Sequence, residues 1–381
     1  MKRSALIITA SFALLAGQSF FNMRGLGELT PLANARAASL ANPAALSLTN
    51  PGIVLNLSKT NLSLTMLGAG TYGTQEGSGR LIGNIRPAGF HVAVPLPTKS
   101  RLLAGIDQRF SQDFDVWSES LSGTNYRYHV VGKGGIYNFR AGLAQALFDR
   151  FCLGLEYHRL VGGSHENWQF RLTEGGSSST DTIEIDYSAG TIRAGASFQT
   201  RLFSLAATYE PGFSMTCHRF KRVHGVVTDS VRIYQVRLPH TILLGIGISP
   251  IERLAVSTGL ELRPWSRATI NDTPVSDFRN GWRGSVGAEY ELFPNYPVRL
   301  GYSHQTWYYD VRPSTLLVVA PIQEHGLHLG TSIPIPKFGS LDLSGELLFR
   351  NSSNLSETAG RLMLSLVYFE TWAKRTRRWG Y

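Results

Sequence analysis

Four tryptophans and two arginines are the side chains of this 381-residue chain best placed by type and position for recognition chemistry. Trp117, Trp168, Trp265 and Trp307 stand where strand-like stretches meet longer polar loops, and their parity puts all four on the charged face of those strands. Indole rings turned inward would make an aromatic mouth for an apolar ligand. The same rings on strands shifted by a bulge would make a girdle at a membrane–water boundary. Both readings stand on sequence alone. Arg263 and Arg299 share the inward parity, and a guanidinium there can hold a ligand carboxylate by a forked hydrogen bond. Inward neighbours of mixed sign, among them Asp107, Arg109, Glu156, Arg193, Glu261, Arg283, Glu289, Asp342 and Glu346, favour ion pairs across the interior instead.

Hydrolytic chemistry needs serine and histidine on one face within hydrogen-bond reach. Ser303 and His304 are consecutive and so point to opposite faces. His328 and Ser332 share a face but lie roughly 13 Å apart along a strand. No phosphate-binding glycine loop, zinc spacing or nucleotide fingerprint stands in the required context, so neither enzyme activity nor a metal or cofactor is expected. Cys152 and Cys217 fall near opposite rims of the sheet, which argues against a disulfide.

The elements that must position these residues follow a period of two. Leu254, Val256, Leu260 and Leu262 alternate with Ala255, Ser257, Gly259, Glu261 and Arg263. Val286, Ala288, Tyr290 and Leu292 alternate with Ser285, Gly287, Glu289 and Glu291. The polar face carries charge, so it is not the core of a sandwich. An apolar outside around an ionic inside is what a sheet closed in lipid requires.

Fourteen strand candidates follow from Ile53, the first over 53–67, the ninth over 254–266 and the last over 359–369. Short turns at 95–100, 148–150, 200–201, 250–253, 293–297 and 334–339 alternate with longer polar or glycine-rich loops, among them 68–85, 112–125, 162–182 and 351–358. That layout is an all-β transmembrane antiparallel barrel with both chain ends on the short-turn, periplasmic side. Ahead of it, Lys2, Arg3 and an apolar run from Ala5 to Ala16 read as a secretory signal over 1–19. Residues 20–52 form an N-terminal segment that reads as a short plug in the lumen or as a periplasmic linker. The barrel occupies 53–369, and a basic, aromatic tail covers 370–381.

Mean hydropathy is −0.06 and no apolar helix follows the signal. Barrel strands give so weak a reading because only alternate residues meet lipid. The net charge is +10 with scattered basic residues. After an export signal, outer-membrane lipid headgroups or lipopolysaccharide are the expected counterparts, and nucleic acid is not.

The last strand turns Leu362, Leu364, Leu366 and Tyr368 outward, and its aromatic end resembles the signal read by the barrel-insertion machinery. Ala41-Asn42-Pro43-Ala44-Ala45-Leu46 is similar to the NPA-containing plug of FadL-type long-chain fatty acid transporters. Leu238-Pro239-His240-Thr241, Leu244-Gly245-Ile246-Gly247, Leu254 to Trp265-Ser266, Trp282 to Tyr290 and Arg299-Leu300-Gly301-Tyr302 follow in that family's order. The stretch from about 68 to 225 resembles it only in periodicity. The resemblance implies a fourteen-stranded barrel in the outer membrane of a Gram-negative-type bacterium. Its plug would turn on Asn42, Pro43 and Ala44, and it would pass a hydrophobic, fatty-acid-like small molecule without an energy source. Related barrels of the PorV kind serve as scaffolds of secretion systems, and a general diffusion pore is the third class.

Overall fold

The computed structural model describes residues 19–23, 25–30, 34–53, 60–75, 78–96, 98–118, 126–148, 150–172, 179–222, 231–311, 320–352 and 355–370. The signal sequence up to residue 18 and the tail beyond Glu370 lie outside the described residues.

Period-two alternation becomes fourteen antiparallel strands closed into one barrel. They are β1 (Thr60–Gln75), β2 (Ser78–Pro95), β3 (Ser100–Ser111 and Phe114–Ser118), β4 (Tyr126–Phe148) and β5 (Phe151–Leu172). Next come β6 (Ser179–Gln199), β7 (Phe203–Glu210 and Phe213–Arg222), β8 (Arg232–Leu238 and Thr241–Ile251), β9 (Leu254–Arg263) and β10 (Gly281–Phe293). The wall ends with β11 (Tyr296–Val311), β12 (Ala320–Ile335), β13 (Gly339–Ser352) and β14 (Leu355–Glu370). Each pairs with its neighbour in sequence, and β14 pairs with β1 from Thr60 opposite Glu370 to Gln75 opposite Leu355. Closure leaves no free edge along that seam, the condition for backbone in hydrocarbon. Breaks in β7 and β8 fall at Pro211 and Pro239, where the chain has no N–H to give to a ladder.

Burial follows the sequence pattern. Leu143, Leu155, Ile192, Leu300, Leu327, Leu329 and Trp282 are exposed on the outer face, while Arg193, Glu210, Arg299, Glu346 and Arg350 are buried inside. Among the described residues no helix is long and apolar enough to cross a membrane.

Several boundaries differ from the sequence reading. Ile53 ends a 3-10 turn, Pro51–Ile53, rather than opening a strand, because Pro51 and Gly52 pack on the inner wall at Gly154 and Gly195. The strand at Leu254 stops at Arg263, since Pro264 turns the chain into a 3-10 turn over Trp265–Arg267. The expected loops at 68–85, 162–182 and 351–358 are largely strand, β13 and β14 pairing as far as Ser352 opposite Leu355. Their glycines and polar side chains resemble loop composition, but above the lipid a ladder needs only backbone and tolerates polar residues on both faces.

Candidate functional site

The N-terminal segment lies against the inside of the barrel on a belt of small residues. Inward positions on eight consecutive strands are Gly154, Gly195, Ala206, Gly245, Gly259, Gly287, Gly301 and Gly330. Three cross-strand pairs are glycine on glycine: Gly154 with Gly195, Gly245 with Gly259, and Gly287 with Gly301. A Cβ at Gly259 would stand 2.6 Å from the Pro43 carbonyl carbon, and one at Gly301 would stand 2.7 Å from the Ala41 nitrogen. Only hydrogen at these positions lets the segment's backbone lie flat on the wall. The Asn42-Pro43-Ala44 motif sits there with Ala41, Asn42 and Ala44 all at positive φ (56°, 45° and 44°), a conformation costly for residues with a Cβ. Arg283 holds it by donating to the carbonyls of Ala41 at 2.9 Å and Asn42 at 3.1 Å. Short helix α1 (Ala35–Ser39) precedes it, capped by Asn34, whose side chain accepts from the Ala37 amide.

Higher up, the wall has a window. β2 and β3 pair only from Gly89 opposite Asp107 downward. Above that level β3 parts from β2 while staying paired with β4: Gln108, Phe110, Ser111, Gln112, Asp113 and Phe114 are all buried, so both faces of the strand are covered. The freed edge of β3 is taken by the two-residue strand Glu28–Leu29 of the N-terminal segment, Glu28 opposite Ser111 and Leu29 opposite Phe110. Arg86 reaches across from β2 to Asp113 at 2.9 Å and Ser111 at 3.1 Å. Pro87 lies beside it on an edge without a strand partner, where the missing amide costs nothing.

Behind the window stands an aromatic cluster. Trp265 stacks on Tyr308 with centroids 4.2 Å apart, and Phe278 meets both rings edge-on. Phe110 meets Trp265 at 6.3 Å, which links the window to the cluster. Trp307 packs on Phe21 and Tyr309, with the Arg350 guanidinium 5.1 Å over its ring. Tyr308 clasps the N-terminal segment, accepting from the Leu26 amide and donating to the Gly27 carbonyl, both at 2.8 Å.

Of the six residues singled out for binding, three converge. Arg263, Trp265 and Trp307 line one interior cavity of about 20 Å³, together with Glu28, Gln305 and Tyr308. The indole N–H groups of Trp265 and Trp307 are buried without an acceptor. A space of that size takes one water or one polar atom of a ligand. Trp168 is half-buried on the inward parity of β5 and donates to Glu166 at 2.9 Å. Arg299 lies lower, held by Glu289 and by Ser332 at 2.7 Å. The side chain of Trp117 lies outside the described residues.

Ion pairs fill most of the remaining interior, as the mixed signs imply. Glu210 joins Arg193 at 2.6 Å and Arg109. Arg350 contacts Glu324 and Glu357 at 2.6 Å each and also Glu28, which Arg361 shares. Burial pushes the Glu28 carboxyl up, but Arg350 and Arg361 outweigh it and hold the group below the usual carboxylate range. Sequence reading omitted Arg350, Glu357 and Arg361, although Arg350 continues the inward parity of Asp342 and Glu346. Glu357 falls in the stretch 351–358, whose composition reads as a loop.

Ser303, His328 and Glu346, on adjacent strands, also meet: Ser303 Oγ lies 2.9 Å from His328 Nε2, and His328 Nδ1 lies 3.3 Å from Glu346. The pairing was invisible in sequence because the partners are 25 and 18 residues apart. A catalytic triad further requires donors aimed at a developing oxyanion. Here Ser303 is matched to Ser285 and Gly326 in continuous ladders, so the surrounding amides are committed to the sheet. Both cysteines are buried and free, and no group of three potential metal ligands occurs among the described residues.

No protein-family model and no curated protein matches the chain. Solved structures do. A Pseudomonas aeruginosa FadL homologue superposes with a TM-score of 0.68 at 15% identity, covering 89% of this chain and 99% of its own. The Pseudomonas putida toluene transporter TodX gives 0.60 at 13% identity over 94% of this chain and 100% of its own. The CymD monoaromatic hydrocarbon channel gives 0.55 at 14% over 93% and 97%. The chain thus shares the β-barrel fold of the FadL homologue and of these hydrocarbon channels.

Proposed function

We propose that the chain is a passive outer-membrane channel for apolar small molecules, with the N-terminal segment as its plug and the window between β2 and β3 as the exit into the bilayer. The observation that carries this reading is the parting of β3 from β2 beside the Phe110–Trp265–Tyr308 cluster. An apolar molecule leaving a barrel along its axis must cross water. A sideways route from an aromatic interior into hydrocarbon avoids that hydration cost. The segment Glu28–Leu29 on the freed edge is the gate, and Arg263 with the two indole N–H groups offers donors to a polar end of the cargo, such as a carboxylate. Neighbours named for toluene and monoaromatic hydrocarbons support a small apolar cargo.

Changing Trp265 and Trp307 together to Ala is expected to lower uptake of radiolabelled toluene or oleate about tenfold, while heat-modifiable mobility of the barrel stays normal. Uptake at the unaltered rate would reject the aromatic route. A disulfide between Leu29→Cys and Phe110→Cys, which are directly paired, should stop uptake until a reductant is added. A general pore would instead show steady conductance in planar bilayers, and a secretion scaffold would copurify with protein partners.

An enzyme is the competing class, because of Ser303, His328 and Glu346. With the neighbouring amides occupied, these three act as a polar ladder within the wall. A fluorophosphonate probe applied to the folded barrel is therefore expected to leave Ser303 unlabelled. Stoichiometric labelling there, lost in His328→Ala, would revive the hydrolase.

A further inference from the structure

A groove of about 790 Å³ lies not in the lumen but on the lipid-facing wall, in the half nearest the short turns. Strand register gives its shape. Ala194 and Ala196 on β6, with Ala207 on β7, form a floor of methyl groups, Ala196 directly opposite Ala207. Leu155 opposite Ala194 and Leu153 opposite Ala196 form one bank. Tyr209 opposite Ala194, and Ile242 beyond it, form the other. The inner side of the same wall is already occupied, with Asn50 and Pro51 lying against Gly154 and Gly195. The groove therefore belongs to the bilayer and is separate from the channel. Its volume falls within the roughly 300–1,000 Å³ of small-ligand sites.

Charge at its lower end identifies the occupant. The turns beneath these strands carry Lys99, Arg150, Arg201 and Arg253 against Asp149 and Glu252. Arg150 and Arg201 are exposed, and Arg201 meets Glu252 at 3.3 Å in a pair so open to water that it holds the guanidinium only weakly. Arg150 is three residues from Leu153, about 10 Å along a strand, and Arg201 lies in the turn two residues past Gln199, the end of β6. That span suits a phosphate at the turns with acyl chains on the alanine floor. Phe148 and Leu202, 73% and 62% exposed, stand beside the two arginines where the interface begins.

We propose that this groove is a binding site for an anionic diacyl phospholipid of the periplasmic leaflet, its acyl chains on Ala194, Ala196 and Ala207 and its phosphate between Arg150 and Arg201. Native mass spectrometry of the detergent-released barrel, incubated with equal phosphatidylglycerol and phosphatidylethanolamine, tests it. The unaltered protein is expected to retain one phosphatidylglycerol with about tenfold preference. Arg150→Gln with Arg201→Gln should bind the two lipids equally. Ala194→Leu with Ala207→Leu, which fills the floor, should retain neither. Equal retention by the unaltered protein, or phosphatidylglycerol preference that survives the arginine changes, overturns the proposal even if the leucine variant does not fold. So does a dimer that the leucine variant abolishes, since a second copy would then be the occupant.

Discussion

Replacing Arg350 by methionine is expected to cost about 3–5 kcal/mol, the loss seen when one partner is taken from a buried ionic network. Arg350 is 1% exposed at its side chain and meets three carboxylates, Glu28, Glu324 and Glu357. Methionine would fill similar space yet take away the guanidinium those three acids share, with Arg361 and Arg86 still acting on Glu28. Glu28 belongs to the N-terminal segment, and Ser19 of the same segment donates to Glu357 at 2.9 Å. The loss should therefore appear first as release of that segment: faster proteolysis within residues 19–30, then a lower urea midpoint for the whole barrel. Adding Glu324→Gln and Glu357→Gln should restore more than half of the midpoint, because the cost comes from stranded charge and not from lost packing. A single variant as resistant as the unaltered barrel would mean that water already screens this cluster.

The largest functional change is expected from the glycine belt. In a protein with Gly259→Leu and Gly287→Val, the new Cβ atoms would stand 2.6 Å from the Pro43 carbonyl carbon and 2.5 Å from the Leu40 oxygen. Both are backbone atoms, which cannot swing aside as a flexible side chain does. At about 1–3 kcal/mol for each overpacked site, the population with the segment unseated should rise by roughly 30-fold or more. The outer face of the sheet is unaltered, so barrel assembly should survive. Planar-bilayer recordings should then show frequent openings where the unaltered protein is almost closed. Gly345→Ala is the matched control, since a Cβ there meets nothing within 4 Å. Equal conductance in all three proteins would remove the plug from the account.

Alternation and turn spacing carried most of the architecture, and the reason is local. In a wall one strand thick, each side chain faces either lipid or lumen, so parity alone sorts Leu260 and Leu262 outward and Glu261 inward. Composition misled at Gly68 to Gly73, which form strand because a ladder needs no side chains. The belt left a trace as glycines at alternate inward places in Leu244-Gly245-Ile246-Gly247 and Leu300-Gly301. Reading those glycines as seats for a second layer required knowing that the N-terminal segment lies on them.

The site was legible as residue types and not as a place. Parity put Trp265, Trp307 and Arg263 on the inward face, yet their meeting depends on Pro264 ending β9 and turning Trp265 across to Tyr308 on β11. Sequence by itself determined an apolar-out, ionic-in sheet of about fourteen strands, because that follows from residue order along each strand. Tertiary structure decided where β3 parts from β2, which charges meet, and that Glu28 and Leu29 cover the freed edge. Those contacts join residues tens to hundreds of positions apart, and their energies depend on distance in space, to which a period of two is blind.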